Sequence, residues 1–298
     1  MNYNDFLKSK EISDVPTGLS DITELNPKLF DFQKDIVKWA LHRGRAAIFA
    51  DCGMGKTAMQ LEWASHIDGN ILILAPLAVA GQTVREGRKF GIKVKLCRTQ
   101  DDVEEGINIT NYEMLEHFDA TKFTGIVLDE SSILKSYNGA TRTLIIDSFS
   151  KTPFRLACTA TPSPNDYMEL GNHAEFLGIM NYSEMLAMFF THDGGETQKW
   201  RLKRHAQNDF WKWMCSWAVM IRKPSNLGYD DGGFKLPKME MIEHIVGADK
   251  PTDGMLFAMP ASSLQERISA RRDTINERAQ KCAEIVNKTA GPWIVWCN

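Results

Sequence analysis

The chain has 298 residues, of which 43% are hydrophobic and 24% are charged, and its formal net charge is −3 at pH 7. This length can bury one large core or two smaller ones, and no apolar run approaches the ~20 residues needed to span a bilayer, so we expect a cytoplasmic protein without a membrane partner. The negative charge excludes a general attraction to nucleic acid, which would need a local basic patch.

The first predicted elements are an irregular lead-in and a helix. Residues 1–26 are polar and irregular, and the helix is expected over Leu29–Leu41. Four apolar residues share one face of this helix: Phe32, Ile36, Trp39 and Ala40. Gln33 lies in the same helix, and its amide offers one donor and one acceptor that match the edge of an adenine. The alternative for Gln33 is an ordinary solvent-facing residue.

A glycine-rich loop follows, between a predicted strand and a predicted helix. The strand is Ala46–Phe49, and the loop, Ala50–Thr57, reads ADCGMGKT. Strand, glycine-rich turn and helix form the context of a phosphate-binding loop, in which backbone N–H groups and the helix dipole face phosphate oxygens. The predicted nucleotide-binding residues of the loop are Gly53, Met54, Gly55, Lys56 and Thr57.

Two of these residues have specific predicted roles. Lys56 reaches the terminal phosphates, and the hydroxyl of Thr57 ligates magnesium. Ala50 stands where the usual pattern begins with glycine, a form common in helicase-type ATPases. The alternative is a glycine-rich turn that binds nothing.

Short apolar runs separated by helical or polar stretches then continue to about residue 160. These predicted strands are ILILAP, KVKLC, INIT, GIVLDE and FRLACTATP. Their alternation with helices predicts a doubly wound, mainly parallel α/β sheet with helices on both faces. Six cysteines are scattered along the chain without a CxxC pair, several of them within these strands. We interpret them as reduced core residues.

Polar residues end two of these strands. Asp129 and Glu130 follow the apolar run of GIVLDESS, where Asp129 could hold magnesium and Glu130 could orient and deprotonate a water molecule. In isolation, adjacent acids are better interpreted as a turn cap. Thr159 and Thr161 end the run RLACTATP, where their hydroxyls could bond to the acidic pair and sense a γ-phosphate. A Thr-Pro turn is the alternative there.

These elements together resemble superfamily 2 helicases and translocases, and more closely their Swi/Snf-like branch. The order of Gln33, the phosphate loop, ILAPLAVAGQ, ITNYEML, DESS and TATP is that of the family, and the resemblance covers Leu29–Lys238. It implies a RecA-like P-loop fold that binds ATP and Mg²⁺. DESS departs from the acidic pair plus Ala-His that is usual in the branch.

The resemblance also implies a nucleic-acid partner, with DNA favoured over RNA. It places Pro76, Gln82 and Tyr112 on the nucleic-acid side of the first lobe, although a strand-end proline, a helix glutamine and a core tyrosine are all ordinary. The compact spacing is similar to phage or bacterial members, which implies a bacterial or phage-infected cytoplasm.

A hairpin and an aromatic helix are predicted after the TATP segment. The hairpin is Met188–His205, and residues 199–223 carry a charge of +6. Four of its basic residues are hypothesised to grip a phosphate backbone: Lys199, Arg201, Lys203 and Arg204. A solvated surface is the alternative. The next stretch places Phe210, Trp213, Met214, Trp217 and Ile221 on one helical face, which favours the core of a small helical subdomain over a base-stacking platform.

The C-terminal part is predicted to be a linker, a long polar helix over Ser262–Lys288 and a strand, WIVWCN. The expected domains are a lead-in (1–26), a RecA-like lobe (27–246, with an insertion at about 180–224) and the start of a truncated second lobe (247–298). Family arginine fingers lie on the second lobe and contribute ~10³ to 10⁵ in rate. We therefore expect this chain to bind nucleotide weakly and hydrolyse it poorly.

The intact protein is expected to be an ATP-dependent nucleic-acid translocase or helicase. The first alternative is a module that binds DNA or a protein partner without turnover. The second is another phosphate-loop enzyme, such as a small-molecule kinase, which explains neither the TATP motif nor Gln33.

Overall fold

The computed structural model describes residues 16–22, 24–135, 139–193, 196–235, 237–246, 263–288 and 290–296, with the backbone alone at Asp193 and over 196–199. The described residues divide into two compact units, Met1–Lys235 and Leu236–Asn298. Within 16–30 the described residues form neither helix nor strand. None of the described helices is long and apolar enough to cross a bilayer.

The first unit is built on a seven-stranded sheet. Every pair of neighbouring strands in it is parallel, which confirms the predicted sheet class. The strands are β1 (Arg45–Ala50), β2 (Ile71–Ala75), β3 (Val94–Leu96), β4 (Ile107–Asn111), β5 (Gly125–Asp129), β6 (Phe154–Thr159) and β9 (Ala218–Ile221), while β7 (Phe190–Asp193) and β8 (Glu196–Leu202) form a separate pair. Their order in the seven-stranded sheet is β3-β4-β2-β5-β6-β1-β9.

Helices cover both faces of this sheet because side chains alternate along each strand. Ile48 of β1 packs into one core with α1 (Asp31–Arg43), α2 (Lys56–Ser65) and α3 (Leu77–Phe90). Phe49, the next residue, packs into the other core. That second core contains α4 (Ala140–Ser148), α5 (Leu170–Leu177), α6 (Tyr182–Phe189) and α7 (Gln207–Trp217).

The segment predicted as one aromatic helix is a helix followed by a strand. Helix α7 ends at Trp217, and Ala218–Ile221 continues as β9, parallel to β1. The prediction of Ile221 on the helical face was therefore wrong, because tertiary pairing with β1 outweighs the local helical spacing. Phe210 and Trp217 are fully buried in the same core as Phe49, so the aromatic stripe belongs to the core of the main lobe and not to a separate subdomain.

The predicted hairpin is present. It consists of β7 (Phe190–Asp193) and β8 (Glu196–Leu202), which pair antiparallel with a register shift between His192 and Asp193. The predicted turn glycines, Gly194 and Gly195, lie outside the described residues.

The second unit contains α8 (Leu264–Asp273) and α9 (Ile275–Lys288), so the predicted single helix is two helices that meet at Thr274. The predicted linker over 247–254 and Cys297 and Asn298 lie outside the described residues. Residues 292–296 form no strand, since a strand requires a hydrogen-bonded neighbour and none of the described residues pairs with them.

The prediction that the cysteines are core residues holds for two of the five described ones. Cys97 and Cys158 are buried, Cys282 is half-buried, and Cys52 and Cys215 are exposed. All five have free thiols.

Candidate nucleotide site

Three adjacent strands deliver the predicted site residues to one edge of the sheet. The phosphate loop follows β1, the acidic pair ends β5, and Thr159 ends β6, which lies between them. Because the three strands are parallel, their carboxyl ends meet at the same edge, where ligands bind in open α/β sheets.

The phosphate loop turns through two glycines with left-handed backbone conformations, Gly53 (φ 81°) and Gly55 (φ 78°). Gly55 is the N-cap of α2, whose first residue is Lys56. The positive end of this helix dipole therefore lies at the loop. The ammonium group of Lys56 donates to the carbonyl oxygens of Ala50 (2.8 Å) and Asp51 (3.3 Å), inside the curve of the loop. Thr57 is half-buried beside it.

Gln33 contacts this loop from α1. Its Nε2 donates to the carbonyl oxygen of Met54 at 2.9 Å, and its Oε1 accepts from the backbone N–H of Phe30 at 3.0 Å. Gln33 is buried, as is Met54, so it is not the solvated helix residue of the alternative interpretation. These two bonds assign the orientation of the amide, and each group keeps capacity for a second hydrogen bond.

Asp129 is held by a residue that the sequence analysis did not identify. Gln60, on α2 and one turn after Thr57, donates from Nε2 to Oδ1 of Asp129 at 2.9 Å. Burial raises the pKa of Asp129 above its ordinary value, and the hydrogen bond from Gln60 and the charge of Lys56 oppose that rise. The position of Gln60, on the same helical face as Thr57, is the signal that could have indicated its role.

Glu130 connects the acidic pair to the TATP segment. Its Oε1 accepts hydrogen bonds from the hydroxyls of Thr159 and of Ser132, the latter at 2.9 Å. The Thr159 hydroxyl in turn accepts from the backbone N–H of Thr161 at 3.0 Å. Glu130 is the only described residue other than glycine with a positive φ, 59°. Such strain concentrates at functional sites, and here it aims the carboxylate at β6.

A histidine from another helix takes part in the acidic segment. His173 of α5 is fully buried, and its Nε2 lies 3.1 Å from the hydroxyl of Ser131. Its ring packs edge-on against Phe49 of β1, with centroids 5.2 Å apart. The DESS segment itself contains no histidine, and His173 brings an imidazole to it from α5. The sequence signal is a lone histidine among the apolar residues of α5.

The three residues assigned to the nucleic-acid side lie in different environments. Tyr112 is buried, and its hydroxyl donates to the carbonyl oxygen of Asp129 at 2.8 Å. This bond gives Tyr112 a structural role at the end of β5, and we propose no nucleic-acid contact for it. Pro76 is the half-buried N-cap of α3, and Gln82 is exposed on that helix.

The basic residues of the hairpin are not equivalent. Arg201 and Arg204 are exposed. Lys203 is half-buried and donates to the carbonyl oxygens of Ala187 (2.8 Å) and Met188 (3.0 Å), where it caps the last turn of α6. The side chain of Lys199 lies outside the described part of the chain. Arg201, Lys203 and Arg204 line a cavity of about 560 Å³, together with Thr191, Leu202 and His205.

No protein-family model matches the sequence, and a search of curated proteins found no match. Among solved structures, the chain is similar to the SWI2/SNF2 ATPase core of Sulfolobus solfataricus in complex with dsDNA, with 18% identity and a TM-score of 0.57. The similarity covers 71% of this chain and 48% of that one, so the chain spans about half the length of the Sulfolobus core.

Two further solved structures illustrate the same similarity. The UvsW helicase from bacteriophage T4 has 16% identity over 61% of this chain and 66% of its own, with a TM-score of 0.43. The Hef helicase domain from Pyrococcus furiosus has 16% identity over 53% of this chain and 39% of its own, with a TM-score of 0.44. The sheet order and the similarity to the Sulfolobus structure together show that the chain contains a RecA-like α/β lobe. This is the fold found in the SWI2/SNF2 ATPase core.

Proposed function

We propose that this chain carries the ATP-binding lobe of an ATP-dependent nucleic-acid translocase or helicase, with double-stranded DNA as the favoured partner. The observation that carries the proposal is the meeting of the phosphate loop, the acidic pair and Thr159 on three adjacent strands, linked by side-chain hydrogen bonds. A glycine-rich turn that binds nothing, or a carboxylate pair that only caps a turn, does not require these links.

The residues at the edge fit a magnesium nucleotide. Thr57 and Asp129 offer the hydroxyl and carboxylate oxygens that Mg²⁺ prefers, and bound Mg²⁺ would neutralise charge on the phosphates. The N–H groups of the loop and Lys56 would hold the phosphates. Glu130, anchored by two hydroxyls, would orient the attacking water and accept its proton. Thr159 and Thr161 would couple the γ-phosphate to movement.

Gln33 supports adenine as the base. Its amide is fixed with Nε2 towards the loop and Oε1 towards Phe30, so its remaining donor and acceptor have defined directions. An adenine edge requires one donor and one acceptor of this kind.

The choice of DNA rests on the resemblance to the Swi/Snf-like branch and on the Sulfolobus core, which is itself in complex with dsDNA. The basic hairpin supports a contact with the phosphate backbone, carried by Lys199, Arg201 and Arg204. Lys203 contributes less, because its ammonium already caps α6. We further propose that residues 247–298 begin a second RecA-like lobe.

The nucleotide part is tested by titrating a fluorescent ATP analogue into the chain with Mg²⁺ present. We expect binding in the wild type and its loss in Lys56→Ala, while Lys89→Ala, an exposed lysine on α3, keeps it. ATP hydrolysis by the chain is then measured with and without dsDNA. Equal binding by Lys56→Ala and the wild type would refute the assignment of the loop.

The nucleic-acid part is tested with the triple variant Lys199→Gln, Arg201→Gln and Arg204→Gln, which spares the helix cap. We expect weaker dsDNA binding and a slope of log affinity against log salt that falls by about 0.9 for each phosphate that the variant no longer neutralises. The control removes the same charge elsewhere, with Lys89→Gln, Lys93→Gln and Lys122→Gln. If the hairpin variant keeps the wild-type affinity and salt slope, the proposed contact between the hairpin and the phosphate backbone is wrong.

A further inference from the structure

Gln60 is a buried glutamine, and the nitrogen and the oxygen of its side-chain amide have different surroundings. Its side chain is fully buried on α2, and Nε2 donates to Asp129 Oδ1 at 2.9 Å. Its Oε1 is also buried and has no hydrogen-bond partner among the described residues. Burying an unpaired carbonyl is unfavourable, and a methionine of similar length would fill the space without that cost. Packing alone therefore does not explain a glutamine here.

The hydrogen bond to Asp129 explains why residue 60 is a glutamine. Asp129 ends β5, and its backbone carbonyl is already fixed by the hydroxyl of Tyr112 at 2.8 Å. Gln60 fixes the carboxylate of the same residue, so the backbone and the side chain have separate anchors. Thr57 lies one turn earlier on the helix that carries Gln60, so the amide ties the helix of one predicted magnesium ligand to the side chain of the other.

We propose that Gln60 is a positioning residue for the magnesium nucleotide: its amide holds one oxygen of Asp129 and turns the carboxylate towards Thr57. This inference rests on the proposed function of the loop. Partners of this kind, which orient a metal ligand without touching the metal, contribute typically 10- to 100-fold to metal affinity or activity.

The experiment measures the affinity of the chain for a fluorescent ATP analogue twice, in Mg²⁺ and in EDTA, for the wild type and for Gln60→Met and Gln60→Leu. The ratio of the two affinities reports the contribution of magnesium. We expect both variants to keep the EDTA affinity within about twofold and to lose about 10-fold or more of the magnesium-dependent gain. Direct binding of Mn²⁺ in the presence of the nucleotide, followed by electron paramagnetic resonance, should fall by the same factor.

The control variant is Thr110→Val. Thr110 is fully buried on β4, and its hydroxyl likewise has no hydrogen-bond partner in the described part of the chain. Its strand is not one of the three strands of the site. Thr110→Val should leave the affinity for the ATP analogue unchanged both in Mg²⁺ and in EDTA. Thermal unfolding of each variant checks that it is folded.

Two results would overturn the inference. If folded Gln60→Met or Gln60→Leu keeps the whole magnesium-dependent gain, Gln60 only joins α2 to β5. If both variants lose the EDTA affinity as much as the Mg²⁺ affinity, Gln60 shapes the loop and not the metal ligand. A wild type that binds the nucleotide in neither condition would instead refute the proposed function, and the inference with it.

Discussion

Two glycines of the phosphate loop share a backbone conformation but differ in their surroundings. Gly53 and Gly55 have φ angles of 81° and 78°. A Cβ added at Gly53 would meet no atom of the described residues within 4 Å, whereas one at Gly55 would lie 2.3 Å from Nε2 of Gln33. The second glycine is therefore required by the residue that contacts the loop as well as by the turn itself.

This difference leads to a prediction for two alanine variants. Gly53→Ala should lower the free energy of unfolding by ~1–2 kcal/mol, the cost of a left-handed alanine. Gly55→Ala should cost about 1 kcal/mol more, because it displaces Gln33 from Met54. Chemical denaturation measures both losses. In a Gln33→Ala background, the additional loss of unfolding free energy in Gly55→Ala should vanish. If Gly53→Ala and Gly55→Ala lose equal amounts in the wild-type background, Gln33 moves aside without a free-energy cost.

His173 makes the stability of the lobe depend on pH. Burial lowers its pKa to about 4, well below the value of ~6.5 for an unfolded histidine. The unfolded chain therefore binds the proton more readily between these values, and stability falls as the pH drops from about 6.5 to about 4.

We expect His173→Leu to reduce this pH dependence. Between pH 7 and pH 4, protonation of His173 should lower the free energy of unfolding of the wild type by up to ~3 kcal/mol. The variant lacks this contribution, so its total loss over the same pH range should be smaller by the same amount. Denaturation curves at both pH values give the comparison, and His117→Gln is the exposed control. A variant with the pH dependence of the wild type would assign the loss to other groups.

Among the elements, α7 shows how one aromatic helix divides between core and surface. Trp217 is fully buried, edge-on to Phe49 and Trp213 with ring centroids 6.2 and 5.3 Å away. Trp211, on the same helix, is half-buried and contacts the exposed Tyr167. The buried face of α7 thus stabilises the lobe, whereas the face that carries Trp211 is partly exposed.

Alanine variants of the two tryptophans separate these roles. Trp217→Ala should lower the free energy of unfolding by ~3–5 kcal/mol, since it leaves a large cavity in the core. Trp211→Ala is the matched control and should cost about 1 kcal/mol, within the common range for single substitutions. Thermal or chemical unfolding of the two variants measures both losses of unfolding free energy. Similar losses for both would mean that the helix packs differently.

At the scale of the whole molecule, both hydrophobic cores lie within the first unit, Met1–Lys235. We therefore predict that a fragment of residues 1–235 unfolds cooperatively, with a Tm within about 2 °C of the full chain, because a loss of 1 kcal/mol shifts Tm by about 2–4 °C at this size. A control that ends at Trp217 lacks β9, the neighbour of β1, and should melt far lower. A fragment 1–235 that fails to fold would show that the second unit is needed for the first.

The sequence by itself determined the class of the sheet and the location of the phosphate loop. Apolar runs such as Ile71–Ala75 predict strands buried on both faces, and glycine spacing predicts a loop, because both depend on a few consecutive residues. The hairpin at 190–202 followed from the same local pattern.

Only the tertiary structure decided which side chains act together. Gln60 and Asp129 are 69 residues apart, and Ser131 and His173 are 42 apart. The pairing of β9 with β1 likewise depends on a neighbour far away in the chain. Contacts of this kind exist only after the sheet has closed the intervening loops, and the local spacing of residues carries no record of which distant groups that closure brings together.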